Sequence, residues 1–438
     1  MKSFSSSSFA SSHAEALDLA FAAVQKDPQA LFTNFQWFLF AGKDTIFFTA
    51  FSRETFDKER LKQLVAQVVA LAPQLTHGFI GARPGHPLTE SQLDAITSVE
   101  MVDAFDGYPD KWLGKSNDIF DQPDLPLFRF MAATRRGGPD GEGRASIIQV
   151  RAAHCVLEGS DSALLSRSQT ASHGIQKNRD NKVPLGQRIR GVIGAGIGVT
   201  LHLFFAHVLS PPDKPFGFRT LPLERDRMRR LASRLGVRQR SLYFAVVTHA
   251  LHSDTDHRHN ERVITAAYTM LDTRRNAVDD DFFRVRVLNA KFPYVADFVD
   301  YVRNVDKVVS EIETSDVTSF QVRTLALFTL HRKVQKLFPF LYGPRFWRFS
   351  GATDTVLTLV PPHRTFGPVT EWMMEPIYCG AYHPAQNITT FCPGREFMTL
   401  NFVMEQRHID LADRIEPLIA SIEAMELAPV TAGVAAEA

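Results

Sequence analysis

His154 is the residue in this sequence best placed to act as a general base. It ends an apolar run from Ala145 to Ala153, whose composition predicts a β-strand, and Gly159 follows five residues later. Glycine adopts backbone conformations that other residues avoid, so the chain can turn sharply there. A strand followed by such a turn would present the imidazole at the edge of a sheet. Because a histidine at a strand end is also a common structural residue, the spacing alone leaves both interpretations open.

The segment around His154 resembles a known motif. Residues 153–159 read Ala-His-Cys-Val-Leu-Glu-Gly, which is similar to the His-His-x-x-x-Asp-Gly motif of the condensation-domain superfamily. Within that superfamily the sequence most resembles the bacterial wax ester synthase/diacylglycerol acyltransferase-like family. Weaker similarities follow in the family's order at 71–75, 126–129, 221–237, 269–274 and 397–425. The His motif is the specific part of the resemblance.

The resemblance implies a fold and a reaction. The fold is mixed α/β (α+β), with two chloramphenicol-acetyltransferase-like half-domains that form a V-shaped pseudo-dimer around an active-site tunnel. The reaction is acyl-CoA-dependent O-acyl transfer, in which His154 takes the proton of a lipophilic alcohol or amine. General-base help of this kind is worth about 10²–10⁴-fold in rate. Backbone N–H groups near Gly159 are candidates for the donors that stabilise the oxyanion.

The same resemblance implies the partners and their alternatives. Acyl-CoA is expected as a co-substrate, with no bound cofactor. A condensation-type enzyme whose donor is bound to a carrier protein is one alternative. A non-catalytic binding protein that keeps the fold is the other.

Two residues depart from the motif. Ala153 replaces its first histidine and Glu158 replaces its aspartate, whereas His154 aligns with the histidine that acts as the base in the family. The family's aspartate pairs with an arginine and shapes the loop. The resemblance therefore implies that Glu158 pairs with Arg274, or with Arg275 beside it. Both arginines could equally be solvated loop residues.

Two other chemistries have less support. Cys155 is next to His154, but adjacent residues of a strand point to opposite faces, so this histidine is poorly placed to activate it. The segment from His252 to His259 is rich in His and Asp. It follows a predicted helix and matches no known spacing of metal ligands, which favours a solvated loop. No metal site is predicted.

Composition limits the class of partner and the compartment. The 438 residues carry 49 basic and 48 acidic side chains, a net charge of +1, so no global field attracts nucleic acid. The three cysteines include no CxxC pair, which favours a reducing compartment. Glu15 and Asp18 interrupt the apolar stretch near the N-terminus that a secretory signal would need. We therefore expect a cytoplasmic protein, peripheral at the inner face of the membrane if it is bound there.

A stretch without charged residues lies between Arg190 and Asp213. A spanning helix needs about 20 apolar residues, but four glycines and two histidines disfavour one here. Basic flanks and the pair Phe204 and Phe205 suit an interfacial helix or hairpin on a membrane surface, with a buried connector as the alternative. The aromatic segment 337–349 suits a headgroup interface or a core equally well.

Hydrophobic spacing predicts the elements that must position His154. Residues 31–52 suit paired strands, and Asp57 is the expected N-cap of a helix over 57–71. Further helices are predicted at 162–168, 223–235, 241–252, 294–314 and 409–425, and strands at 126–134, 145–153, 263–270, 283–290, 355–360, 388–391 and 397–404. The predicted division is a disordered arm (1–13), an N-terminal half-domain (14–171), a connector (172–222), a C-terminal half-domain (223–427) and a flexible tail (428–438).

Overall fold

Two β-sheets, each flanked by helices, form the framework of the chain in a computed structural model. The structure describes residues 39, 42–71, 88–113, 118–121, 125–155, 185–208, 216–253, 263–271, 285–314, 318–347, 354–359, 373–383 and 386–425. Helices and strands alternate in both halves, so the predicted mixed α/β fold class is confirmed. The predicted arm, the tail and the helix at 162–168 lie outside the described residues.

The first sheet contains the strand that leads to His154. Its strands are β1 (Thr45–Ser52), β2 (Thr97–Val102), β3 (Phe128–Arg135), β4 (Ser146–Ala153) and β9 (Met373–Tyr382). They lie in the order β2-β3-β4-β1-β9, with β2 and β3 parallel and the other pairs antiparallel. Every residue of β1 and β4 is buried, because both are interior strands with covered faces.

Helices on one side of this sheet complete its core. Helix α1 (Lys58–Leu71) packs Leu61, Val65 and Val68 against the sheet. Asp57 accepts a hydrogen bond from Arg60 N at 2.7 Å, which confirms it as the N-cap. Helix α2 (Glu90–Ile96), on the same side, begins with a capping box between Thr89 and Gln92. The single turn α3 (Asp110–Leu113) lies on the other face, where Trp112 packs in a separate cluster with Phe51 and Tyr378.

The second sheet has six strands in the described residues. They are β5 (Phe216–Glu224), β6 (Val263–Leu271), β7 (Val285–Pro293), β8 (Thr355–Leu359), β10 (Ile388–Pro393) and β11 (Phe397–Glu405), in the order β5-β11-β10-β8-β6-β7. Four helices share one apolar core with this sheet: α5 (Arg225–Leu235), α6 (Gln239–Ser253), α7 (Phe298–Thr314) and α10 (Leu411–Ala424). The predicted helices and strands of this half are confirmed to within a few residues.

Two long helices, one between β4 and β5 in sequence and the other between β7 and β8, run side by side. They are α4 (Leu185–Val208) and α8 (Thr318–Leu337), and the short α9 (Pro344–Trp347) packs beside α4. A Cβ at Gly194 would meet Arg323, and one at Gly198 would lie 2.9 Å from Leu327 Cδ1. The contacts advance by four residues along both helices, so α4 and α8 are parallel. The glycines allow this close approach.

Pairing corrects three expectations from the sequence. Residues 216–222, assigned to the connector, form most of β5, an edge strand that tolerates Pro222 because its outer side needs no ladder donor. The strand partners of β1 are β4 and β9, which pair along both of its sides, whereas residues 31–38, 40 and 41 of the predicted strand pair lie outside the described residues. The third correction concerns β9, for which no strand was predicted. It follows most strands of the second sheet in sequence and yet pairs into the first sheet.

Candidate active site

His154 lies at the edge of the first sheet where β4 ends. The backbone N–H of Ala153 donates to Leu127 O at 2.8 Å, and that of His154 donates to Asp44 O at 2.7 Å. His154 is half-buried, in contrast to the fully buried strand before it. The strand therefore fixes the backbone of His154 up to the residue where the imidazole becomes accessible.

The register of three strands brings two further polar residues to this edge. Thr45 of β1 faces both Ala153 of β4 and Tyr382 of β9. Because β1 is antiparallel to its two neighbours, the residue before β1 lies beside the residues that follow β4 and β9. Asp44, His154 and His383 thus form a row along the sheet edge.

The turn before β1 holds Asp44 in a defined position. Lys43 has a left-handed backbone conformation with φ of 57°, which residues other than glycine seldom adopt. Asp44 N donates to Leu39 O at 3.0 Å, so both backbone groups of Asp44 are hydrogen-bonded. The turn leaves the carboxyl facing β9.

Asp44 and His383 make a buried pair. His383 Nε2 lies 3.5 Å from Asp44 Oδ1, and the two side chains are only 13% and 14% exposed. Burial raises the pKa of Asp44 well above its usual range. Burial, together with the nearby His202, lowers the pKa of His383 to about 4. His383 is therefore a neutral imidazole at neutral pH.

A second histidine pair adjoins this row. The rings of His202 (α4) and His331 (α8) lie 5.2 Å apart, and His202 stacks on Phe346 at 4.7 Å. His331 Nδ1 lies 2.8 Å from Tyr342 Oη. Burial first and His202 second lower the pKa of His331 to about 3, so its ring is also neutral. The surroundings of the row favour uncharged imidazoles.

The two sheets meet next to the row. Tyr382, which precedes His383, lies 6.0 Å from Phe216 and 6.1 Å from Phe218 of the second sheet, between ring centroids. Phe47 of β1 packs in one buried cluster with Ile388 and Val403. His154 thus lies at the end of the first sheet near its contact with the second.

Comparisons with solved structures place this arrangement in a known fold. Trichothecene 15-O-acetyltransferase from Fusarium sporotrichioides superposes with a TM-score of 0.55 at 11% identity, over 87% of this chain and 92% of that one. The first condensation domain of the CDA synthetase superposes with a TM-score of 0.51 at 13% identity, over 96% of both chains. The chain has the condensation-domain fold. The resemblance drawn from the His motif is confirmed at the level of the fold.

A third solved structure is the wax ester synthase/diacylglycerol acyltransferase from Marinobacter aquaeolei. It superposes with a TM-score of 0.48 at 13% identity, over 87% of this chain and 93% of that one. No protein-family model matches the sequence, and no curated protein matches it.

Part of the condensation-domain motif lies beyond the described residues. Glu158 and Gly159 follow the last described residue of this segment, and Arg274 and Arg275 fall between β6 and β7. Pairing of Glu158 with an arginine therefore stays a prediction, as does the role of Gly159. Of the predicted site residues, the structure positions His154.

The rival chemistries have little support in the described parts of the chain. Cys155 is fully buried, and burial, aided by the charge of Asp44, raises the pKa of its thiol well above the usual range. A nucleophilic cysteine needs the opposite shift. No group of three or more potential metal ligands occurs among the described residues, and the His-rich loop after His252 lies outside them. His252 itself contacts Phe292 O at 3.1 Å.

Sequence patterns did not identify Asp44, His383, His202 or His331. Asp44 is the last polar residue before the buried β1, which is a local signal of a strand start. The other three carry no local signal, because their proximity depends on the pairing of β9 with β1 and on the packing of α4 against α8.

Proposed function

We propose that this protein is an acyl-CoA-dependent O-acyltransferase that moves a fatty acyl group to a hydroxyl, or an amine, of a lipophilic acceptor. The observation that carries the proposal is the position of His154, at the end of β4 and beside the junction of the two sheets, in a fold shared with an acetyltransferase. A substrate can enter at such a junction from both halves. The His motif supplies the residue type that the reaction requires.

In the proposed reaction His154 acts as a general base. Its neutral imidazole takes the acceptor's proton while the acceptor oxygen attacks the thioester carbonyl. When the tetrahedral intermediate collapses, the C–S bond breaks and the imidazolium returns the proton to the CoA thiolate. The ester and free CoA are the products, and no redox partner is needed. The neutral state of His383 and His331 supports a site of low polarity, in which a base and an oxyanion donor have strong effects.

The acceptor and the location follow from composition and surface. The 35 phenylalanines and an exposed apolar helix support a substrate with long hydrocarbon chains, such as a long alcohol or a diacylglycerol. We propose a cytoplasmic enzyme that works peripherally at a membrane, where such acceptors dissolve.

A donor bound to a carrier protein is the second candidate. It is supported by the superposition on a condensation domain over 96% of both chains. A non-catalytic role is supported by the motif departures at Ala153 and Glu158.

The test is acyl transfer by the purified chain. The protein is mixed with long-chain acyl-CoA and either a long alcohol or a diacylglycerol. The free CoA released is measured with a thiol reagent, and the ester formed is measured by mass spectrometry. We expect the His154→Ala variant to lose about 10²–10⁴-fold in rate, with an unchanged circular dichroism spectrum. The matched control is His408→Ala, a histidine of the second half that is not part of the row of Asp44, His154 and His383.

Three results would contradict the proposal in different ways. Equal rates for His154→Ala and the parent would exclude a general-base role. Transfer only from an acyl group on a phosphopantetheinylated carrier protein would favour the condensation-type candidate. No transfer from either donor would favour a non-catalytic protein.

A further inference from the structure

Helix α4 has no charged residue after Arg190 and carries apolar side chains on its covered and its exposed faces alike. Ala195, Val199 and Ala206 are buried against the rest of the fold. On the opposite side, large apolar residues recur at helical spacing and are 37–73% exposed: Leu185, Ile189, Val192, Ile193, Ile197, Leu201, Phe204, Phe205 and Val208. A helix that is apolar all round is normally enclosed by protein or by lipid.

The exposed surface continues beyond the end of α4. Because α4 and α8 are parallel, the two helices end at the same side of the molecule. Leu337, Phe338 and Phe340, at the end of α8, are 72%, 47% and 75% exposed. His207 of α4 contacts Leu341 O at 3.1 Å, which holds the two ends together. We call the exposed residues of α4 with Leu337, Phe338 and Phe340 the apolar face.

The charged residues in the two segments that form the apolar face have one sign. No acidic residue occurs between Asp180 and Asp213 or between Asp316 and Asp354, the segments that contain α4 and α8. Exposed basic residues in the two helices are Arg188, Arg190, Arg323, Lys333 and Lys336. The whole chain is nearly neutral, with a net charge of +1, so this concentration is local.

We propose that the apolar face docks flat on an anionic lipid bilayer, with its apolar side chains in the headgroup and acyl boundary and its basic side chains on lipid phosphates. A symmetric dimer through this face would set the basic residues of one copy against those of the other, with no acidic residue in these segments to pair with them. An anionic bilayer satisfies both the apolar area and the charge.

The helix lies along the membrane and does not cross it. By length and composition Arg188–Val208 could span a bilayer, and it is the one such helix among the described residues. Its covered face, however, is packed on α8 through Gly194, Gly198 and His202. Insertion across a bilayer would break these contacts.

Docking in this orientation would bring the candidate active site close to lipid substrates. This purpose of the docking rests on the proposed function. Ala206, on the covered side of α4, lies in the same buried cluster as Ala153 and Cys155, the two neighbours of His154 in the candidate active site. One helix, about 10 Å thick, therefore separates the bilayer from the row of Asp44, His154 and His383. A lipophilic acceptor would travel only this distance from the membrane.

Vesicle binding tests the proposal without any assay of activity. The intact protein is floated with vesicles of phosphatidylcholine alone and of equimolar phosphatidylcholine and phosphatidylglycerol. We expect binding to the anionic vesicles, weakened by salt. The Ile193→Glu/Phe204→Glu variant should bind at least about tenfold more weakly, because two apolar anchors are lost. Arg323→Gln should weaken binding about fivefold.

Matched controls separate the apolar face from general changes of surface. Met101→Glu alters an exposed apolar residue on β2, and Arg229→Gln removes an exposed charge from α5. Both should bind as the parent does. The new side chains of Ile189→Trp and Val208→Trp should be quenched equally by brominated lipid if the helix lies flat.

Three outcomes would overturn the proposed docking. Equal binding to both vesicle types rejects the anionic partner, and unequal quenching rejects the flat orientation. The apolar face would instead be a self-association surface if the protein does not float, the parent elutes as a dimer in size-exclusion chromatography, and the Ile193→Glu/Phe204→Glu variant elutes as a monomer. Flotation by a protein with no acyl-transfer activity would leave docking intact and contradict only the proposed function.

Discussion

The Nε2 atom of His383 lies 3.5 Å from the Oδ1 atom of Asp44, although most of the chain lies between the two residues in sequence. The contact exists because β9 returns from the second half of the chain to pair with β1. It lies beside the backbone hydrogen bond from His154 N to Asp44 O. Asp44 thus touches both strands that flank β1 at the candidate active site.

Replacing Asp44 with Asn should slow the reaction more than it affects stability. The charge of Asp44 raises the pKa of Cys155, so above the raised pKa of Asp44 it also acts on the neighbouring His154. An ionised carboxyl near an imidazole stabilises the imidazolium by about one pKa unit, so at a pH above the pKa of Asp44 its loss should cost about tenfold in kcat. Steady-state acyl-transfer rates and urea unfolding of Asp44→Asn provide the measurement. A kcat equal to that of the parent would contradict an electrostatic role.

The unfolding free energy should depend on pH through His383. Its pKa is about 4 in the folded protein and 6.5 in the unfolded chain, so only the unfolded chain binds the proton between these values. Stability is therefore lost as pH falls from 6.5 to about 4, by up to about 3 kcal/mol from this residue. Urea unfolding of the parent and of His383→Gln at both ends of this range measures the contribution.

The carboxyl of Asp44 has the opposite effect. Its pKa is raised on folding, so it stabilises the protein below its unfolded pKa and this stability is lost as pH rises through the folded pKa. The effect of His383→Gln on the unfolding free energy is therefore also measured in the Asp44→Asn variant, in which the contribution of the His383 imidazole remains. If His383→Gln changes stability equally at pH 6.5 and pH 4, burial does not suppress protonation of His383.

The local elements around His154 could be predicted because each depends on the spacing of neighbouring residues. The strand over 145–153 and the Asp57 cap are of this kind. The aromatic segment 337–349 was ambiguous for a physical reason: it divides between two environments. Tyr342 and Phe346 are buried, whereas Phe338 and Phe340 are exposed. Their spacing does not encode which ones face solvent.

The row at the sheet edge could not be predicted in this way. Asp44, His154 and His383 meet through the register of three strands that are distant in sequence. A one-residue shift of β9 would move His383 to the other face. The pattern of β9 gave no strand prediction, and Pro376 and Gly380 inside it are both residues that are depleted in strands.

Cys155→Ala should retain the parent's rate of acyl transfer. The thiol is fully buried and its pKa is raised, so the reactive thiolate is not formed. The lost sulfur leaves a small cavity, which should cost about 1 kcal/mol in stability. Mass spectrometry of the intact protein after mixing with acyl-CoA checks for a covalent intermediate. If an acyl group is found on the parent but not on Cys155→Ala, Cys155 acts as a nucleophile and this prediction is wrong.

Gly380→Ala should destabilise the junction beside the candidate active site. A Cβ at this position would lie 2.3 Å from Phe47 Cζ, in the middle of the paired strands β9 and β1. Overpacking of this kind costs about 1–3 kcal/mol in unfolding free energy. Thermal and urea unfolding measure the loss.

Two companion variants decide whether that loss arises from the ring contact. In Gly380→Ala/Phe47→Leu the smaller side chain makes room for the new methyl group, so the double variant should be more stable than Gly380→Ala alone. Gly196→Ala is the matched control within α4, where a Cβ meets no atom within 4 Å. There the helix should gain about 1 kcal/mol. If both glycine variants lose stability equally, or if Phe47→Leu gives no rescue, the close approach of Phe47 is not what requires Gly380.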